Sequence, residues 1–400
     1  MAVSNLTTVA YVYKRLYSDR QVGDMAMRDH PTFKAISKEG GFTGSAFFYP
    51  IRYGNPQGIS GSLANAQTAV ETSRGLQLQA SRRPKYATIS LDGESMAAAE
   101  GNKGAFLDLV TQETDGVIEE FGDTLAFDLF RLGDGQRGRR SSISSNTVTL
   151  TVADDARNFK VGMAVIADDT STGASPRTNT GTVKVTAVDE DAGTITLDNA
   201  ANIASFADND YLFRLGDPAT CMEGFEAHLP LTAPASGESF RGVDRSVDTR
   251  RLAGVRINDT ATSIEENAGL TAVKISQIGK KANYLPLNPI KFWEVVRRLN
   301  AKVTYDGGGN KATYGFEGFD LATPAGTVRV VSDPDAPTNR GYVLNLSTWY
   351  VKHLKGLPHI VTDDGRPSLR STTADTIESR VRAWCNLICT MPGSNGVFAI

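Results

Sequence analysis

Apolar and polar positions along this chain follow different periods in different stretches, and the changes of period divide it into unlike parts. Ala46-Phe47-Phe48-Tyr49-Pro50-Ile51-Arg52-Tyr53 reads as an extended aromatic strand, and Tyr86-Ala87-Thr88-Ile89-Ser90-Leu91 as a second strand of similar length. Between them lie Gly54, Gly58, Gly61 and Gly75 among small and polar residues. Residues 45–92 are therefore expected to form a long hairpin arm without a core of its own. Two strands alone are marginal in water, so such an arm needs a surface to lie on. Residues 1–44 read as a polar N-terminal arm with a short helical stretch near Val9 to Tyr17.

The period then lengthens. Leu107, Val110, Thr114, Val117, Phe121, Leu125, Leu129 and Leu132 recur at steps of three and four, with Asp108, Gln112, Asp115, Glu119 and Asp123 on the other side. This predicts an amphipathic helix over 103–132, roughly 45 Å long. Gly116 and Gly122 each weaken it by about 1 kcal/mol relative to Ala and mark a bend or a close crossing. Its acidic face is expected to meet solvent or basic groups.

From 141 to 215 the period is two. Thr147 to Val152, Gly181 to Val188 and Thr194 to Leu197 alternate, Met163 to Ala167 and Tyr211 to Arg214 add short strands, and polar turns separate them. This spacing predicts a small β-barrel or sandwich. Gly133, Gly135, Gly138 and Gly216 suggest an insertion hung on two linkers. Residues 216–330 return to mixed α/β. Asn288-Pro289 reads as an N-cap with Pro at the first helical position, on a helix carrying Ile290, Trp293, Val296 and Leu299 on one side and closed by Gly307-Gly308-Gly309. Residues 331–400 supply returning strands: Thr327 to Val331 leads in, Tyr342 to Leu346 precedes a short helix capped by Ser347, and Ile377 to Cys389 is the last long strand.

Composition narrows the class. At 400 residues the chain exceeds one simple core, and a net charge of −3 gives no global basic field for nucleic acid. No run of about 18 apolar residues predicts a membrane span, and the N-terminus lacks signal-peptide character. Three cysteines form no disulfide framework, so a reducing, cytosolic origin fits. Cys385 and Cys389 share a strand face about 13 Å apart, too far for a disulfide or a shared metal.

Candidate chemistry is sparse. Gly133-Asp134-Gly135-Gln136-Arg137-Gly138 spells G-x-G-x-x-G, but a helix precedes it and a β segment follows, the reverse of a dinucleotide site, so it reads as a flexible linker. No P-loop or G-x-S-x-G elbow occurs. His30, His228, His353 and His359 are scattered, although His353 and His359 flank a Gly-Leu-Pro turn. Asp154-Asp155, Asp168-Asp169 and Asp363-Asp364 sit in turn-like settings, and Asp168-Asp169 or Asp208-Asp210 leaves a calcium site open. The basic clusters Arg137-Arg139-Arg140, Arg82-Arg83-Lys85 and Arg297-Arg298 suit either nucleic-acid phosphates or, the favoured reading, the acidic helix face of a neighbouring copy. No cofactor, metal or catalytic set is expected, and an arm of this kind suits a building block better than an enzyme.

The order of parts resembles the major capsid protein of tailed bacteriophages, the HK97-type fold. Ser62-Leu63-Ala64-Asn65-Ala66-Gln67 followed by Tyr86-Ala87-Thr88-Ile89 looks like that family's extended loop, the E-loop. Phe106 to Gly138 looks like the spine helix and its exit, Leu285-Pro286-Leu287-Asn288-Pro289 through Trp293 like a strand-to-helix step of the axial domain, and Val331 to Asn345 with the terminal strand like the peripheral domain. The inserted β unit resembles insertions that some members carry. The resemblance implies an α+β chain divided into N-terminal arm (1–44), extended-loop hairpin (45–92), spine helix of the peripheral domain (93–140), inserted β domain (141–215), axial domain (216–330) and returning strands of peripheral and axial domains (331–400).

It further implies self-assembly through hexamers and pentamers into an icosahedral shell around double-stranded DNA, bound without sequence specificity. The expected place is the virion, after assembly in the host bacterial cytoplasm, with no membrane partner. Expected partners are a separate scaffolding protein, since no long charged helical segment precedes the arm, a portal, and a possible decoration protein. Lysine is absent from 54–84, which speaks against cross-linking through that loop. The contact candidates are Arg52, Tyr53, Gly58, Ile59, Gly61, Leu63, Arg82 and Arg83 on the arm and Asp115, Glu119 and Asp123 on the helix. The alternatives are an encapsulin-type compartment shell and a carbohydrate-acting α+β enzyme.

Overall fold

The alternating run at the C-terminal end of the chain forms one 14-residue strand, Thr376–Cys389, and the larger part of the molecule is arranged along it. In the computed structural model, which describes residues 19–94, 103–177, 182–198, 206–299, 318–362, 368–370 and 375–400, this strand is buried on both faces from Val381 to Cys389 apart from half-buried Trp384. Arg83–Asp92 pairs antiparallel along one edge. Ser368–Arg370, His359–Ile360 and Trp349–His353 share the other edge. Ser37–Glu39 adds a parallel strand outside Trp349–His353 to complete six. The expected helix near Val9 to Tyr17, the Gly307-Gly308-Gly309 terminator and the Asp363-Asp364 pair lie outside the described residues.

This sheet corrects the expected arm. Tyr86 to Leu91 belongs to the sheet, and the strand that returns along Ala46–Gly54 is Arg74–Ser81. The run Leu76-Gln77-Leu78-Gln79-Ala80 alternates as a strand should, and Leu78 and Ala80 are its buried side. Register decides between the two candidates. Arg83–Asp92 finds ten backbone partners along the central strand with Ile89 and Leu91 buried, a longer ladder than the arm offers. The arm also has a core at its root, where Tyr49, Ile51, Leu78 and Ala80 pack with Val243, Leu252 and Ile388.

The long helix spans Lys103–Phe130, 28 residues and roughly 42 Å at 1.5 Å per residue. It ends before Leu132, which is exposed. Its amphipathic pattern fades toward the C-terminus: from Phe121 to Phe130 every residue but Asp123 is buried. Asp128 is among them and pairs with Lys85 of the sheet at 3.4 Å, so the cluster Arg82-Arg83-Lys85 spends its lysine inside its own chain. Gly122 marks a close crossing, since a methyl there would lie 2.2 Å from the Ala26 carbonyl oxygen of the helix Asp19–Ala26. Gly116 faces open space and marks none.

A second core lies under the helices Ile264–Ser276 and Pro289–Leu299. Ala272, Ile275, Leu285, Phe292, Val295, Val330 and Phe398 fill it. Tyr284–Leu287 runs parallel to Gly326–Ser332, with Gly318–Thr323 antiparallel beyond, and Val255–Ile257 and Arg340–Val343 flank Gly396–Ala399. Asn288 caps as expected, its Oδ1 accepting from Ile290 N at 3.0 Å. The helix it starts buries Phe292 and Val295 rather than Ile290 and Trp293, which stand 62% and 64% exposed. Both pairs have helical spacing, and only the position of the sheet chooses between them. The short helix Leu346–Thr348 is capped by Asn345, not Ser347: Asn345 Oδ1 accepts from Ser347 N. Buried Asn395 joins the C-terminal turn to this region, accepting from Asn345 N at 2.7 Å and Trp349 Nε1 at 2.8 Å.

Arg131–Ala227 forms a separate compact unit. It is a closed barrel in the order Tyr211–Arg214, Gln136–Ser144, Thr147–Leu150, Thr194–Leu197, Val183–Asp189, Ala164–Asp168. Val148, Leu150, Val165, Val185, Ile195 and Leu212 fill its interior. The first strand starts inside G-x-G-x-x-G, so that motif is not a loose linker. Gly135, at φ +88°, leaves no room for a side chain against the Asp217 carbonyl, and Gly138 lies beneath the Phe159 ring.

Two stability tests follow from the long helix. Gly116→Ala is expected to raise the free energy of unfolding by about 0.5–1 kcal/mol and Gly122→Ala to lower it by about 1–3 kcal/mol, measured by urea unfolding. Asp128→Ala is expected to cost about 3–5 kcal/mol, while Lys85→Met with Asp128→Leu restores most of that loss. A double variant no better than Asp128→Ala would show that the ion pair is not the reason for the cost.

Candidate inter-subunit surface

The arm is rigid at its root and bare at its tip. Arg241 fixes the root. Its Nη1 donates to Tyr49 Oη at 2.8 Å and its Nη2 to the Leu387 carbonyl at 2.8 Å, while its own carbonyl accepts from Gln79 N. One residue thus ties both arm strands to the central strand, from a backbone at φ +53° that non-glycine residues seldom adopt. Asn386 continues the junction by donating to the Ser81 carbonyl at 2.8 Å. Sequence reasoning missed Arg241; its only local signal is the Phe240-Arg241-Gly242 turn between two polar stretches.

Toward the tip burial ends. The bulge between Arg52 and Gly54 marks the last regular pairing, and Leu63–Thr68 forms a short helix with no buried residue. Ile59, Leu63 and Val70 stand 94%, 75% and 67% exposed. Gly58 takes φ +125°, reserved in practice for glycine, whereas Gly61 has no such requirement. Arg52 is exposed, and Tyr53, Arg82 and Arg83 are half-buried near the root, so the arm candidates divide between a bare tip and a settled base.

Two of the three acidic candidates on the long helix meet basic groups of their own chain. Glu119 pairs with Arg28 at 2.9 Å, Asp123 Oδ1 lies 3.1 Å from His30 Nε2, and Asp115 is half-buried. On its other side His30 Nδ1 lies 2.6 Å from Asp335. Burial opposes a charge on this imidazole, but the hydrogen bonds to Asp123 and Asp335 prevail and raise its pKa to about 10. His30 therefore carries a charge at neutral pH and clamps the N-terminal segment between the long helix and the 333–335 turn. Thr32 reinforces the clamp, its N–H donating to Asp333 at 3.0 Å.

The other sequence candidates dissolve into structural roles. Arg137 donates to the Asn158 carbonyl, Arg139 to the Asn209 carbonyl, and Arg140 pairs with Asp208, so this cluster helps hold the barrel together. Arg298 pairs with Glu294 of its own helix. Asp168 accepts from Thr170 and Ser175, and Asp210 grips Arg177 with both oxygens, so one carboxylate of each pair considered for calcium is already engaged. Burial pushes the Cys385 and Cys389 thiols up to about 12, far from nucleophiles. Among the described residues no group of three or more His, Cys, Asp or Glu is placed to hold a metal ion, and no helix is long and apolar enough to cross a membrane.

No family model matches the chain, and no curated protein matches it in sequence. Solved structures do. The cyanophage A-1(L) capsid asymmetric unit aligns over 92% of this chain and 92% of its own, with a TM-score of 0.53 and 11% identity. The capsid of a native GTA particle aligns over 94% and 90% at TM-score 0.48 and 7% identity, and a Mycobacterium phage Ogopogo structure over 92% and 91% at 0.44 and 9%. The chain therefore has the fold of phage capsid proteins, an α+β fold here interrupted by a small closed barrel.

The His30 clamp gives a pH prediction. A folded pKa of about 10 against an ordinary 6.5 means that its stabilisation is complete below about pH 6.5 and is lost as pH rises toward 10. Urea unfolding at about pH 6 and about pH 10 is expected to show this loss in the native chain and a much flatter response in His30→Gln.

Proposed function

We propose that this chain is the major capsid protein of a tailed bacteriophage, with the HK97-type arrangement of extended loop, spine helix, axial and peripheral domains. It self-assembles through hexamers and pentamers into a closed icosahedral shell around double-stranded DNA. The observation that carries the reading is an arm fixed at its root by Arg241 and apolar at its tip, on a fold aligned with a phage capsid structure over 92% of both chains. Three large apolar side chains held out in water on a projecting hairpin are stable in a monomer only at a cost, and a second copy of the chain removes that cost. Each contact can be modest, because closure of the shell multiplies it. The exposed Ile290 and Trp293 offer a second apolar surface of the kind that anchors interfaces. Buried thiols and carboxylates committed to turns suit a structural role rather than catalysis. DNA inside would be met through its phosphates, without base readout.

Expression of the full chain, alone and with a candidate scaffolding protein, followed by negative-stain electron microscopy, tests this directly. Closed particles or capsomer-sized rings are expected; monomers under both conditions would overturn it. Ile59→Asp with Leu63→Asp is expected to leave the free energy of unfolding within about 0.5 kcal/mol while abolishing closed shells, since both residues are exposed in the single chain. Gly58→Pro is expected to act likewise, because proline cannot take φ +125° and must redirect the tip.

A further inference from the structure

A groove beside the arm root carries cations that the described residues answer only in part. It encloses about 450 Å³ and is lined by Ile51, Arg52, Tyr53, Arg251, Lys280 and Met391 among others, with no carboxylate in its wall. Arg251 pairs with Asp248 at 3.0 Å. Arg52 reaches only the Gly54 carbonyl, at 3.5 Å, and Lys280 makes no ion pair among the described residues. Two uncompensated cations thus flank a wall of Ile51, Tyr53 and Met391, a surface suited to a short acidic segment with little bulk.

The sequence contains one run of three consecutive acidic residues, Asp189-Glu190-Asp191. It lies at the hairpin between Val183–Asp189 and Thr194–Leu197 of the barrel, where Asp189 pairs with Thr194 across the turn. Glu190 and Asp191 are exposed, and none of the three makes an ion pair among the described residues. The turn is held in place: Asp189 Oδ1 accepts from Ala192 N at 2.9 Å, and Gly193, at φ +65°, sits so close to Ala153 that a side chain would not fit. A rigid turn presents its carboxylates without an ordering cost on binding. The exposed carboxylates Glu71 and Glu119, by contrast, already pair with Arg74 and Arg28.

We infer that the groove formed by Arg52, Arg251 and Lys280 receives the acidic barrel turn Asp189-Glu190-Asp191 of a second copy of this chain. The inference rests on the shell reading and adds to it a contact between unlike surfaces, the kind that propagates around a closed ring or shell. Charge of this sort sets register and encounter rate more than raw affinity, so its loss lowers assembly yield and makes it salt-sensitive without unfolding the subunit.

Charge exchange tests it in the full chain. Arg52→Glu with Lys280→Glu, and separately Glu190→Lys with Asp191→Lys, are each expected to keep the native thermal midpoint and to lower particle yield by about tenfold or more at low salt. All four substitutions together are expected to restore particles. Normal yield from either half-reversal, or no recovery in the fourfold variant, would overturn the contact. Failure of the unmodified chain to assemble would instead count against the shell reading, so the two failures are distinct.

Discussion

The larger unit depends on the backbone pairing of one strand, Thr376–Cys389. Buried on both faces over its second half, it must satisfy its peptide groups laterally, and it recruits four strands from far apart in the chain to do so. That demand takes Arg83–Asp92 away from the arm and leaves Ala46–Gly54 to pair with Arg74–Ser81. It brings the long helix onto the sheet, where Lys85 and buried Asp128 meet. It also gives Arg241 and Asn386 an anchor for the arm root, so the direction of a projecting hairpin is fixed by the middle of the sheet.

Polar groups inside this framework serve mainly to join segments. His30 links the N-terminal segment to the long helix and the 333–335 turn, and Asn395 joins the C-terminal turn to Asn345 and Trp349. Each bridges residues remote in sequence, and each would be costly to leave half-satisfied away from water. Among the exposed large apolar groups, Ile59, Leu63 and Val70 fall together on the arm tip and Ile290 and Trp293 together on one helix. Two such clusters left in water suit a component that meets its neighbours through them.

Local period was enough to predict the long helix, the alternating strands of the barrel and the Asn288-Pro289 start, because each depends on neighbours a few residues away. The exposed arm candidates Ile59 and Leu63 were legible for the same reason: a glycine-rich stretch between strands has little chance of burying them. What the sequence left undecided was every choice between equivalent local patterns. Leu76 to Ala80 and Tyr86 to Leu91 are both strands, and Ile290-Trp293 and Phe292-Val295 are both helical stripes. Only the long-range ladder to the central strand and the position of the second core selected one of each. The pairing of Arg28 with Glu119, of Lys85 with Asp128 and of His30 with two carboxylates was hidden for the same physical reason: charge is written residue by residue, but its partner is set by where the folded backbone brings distant segments together.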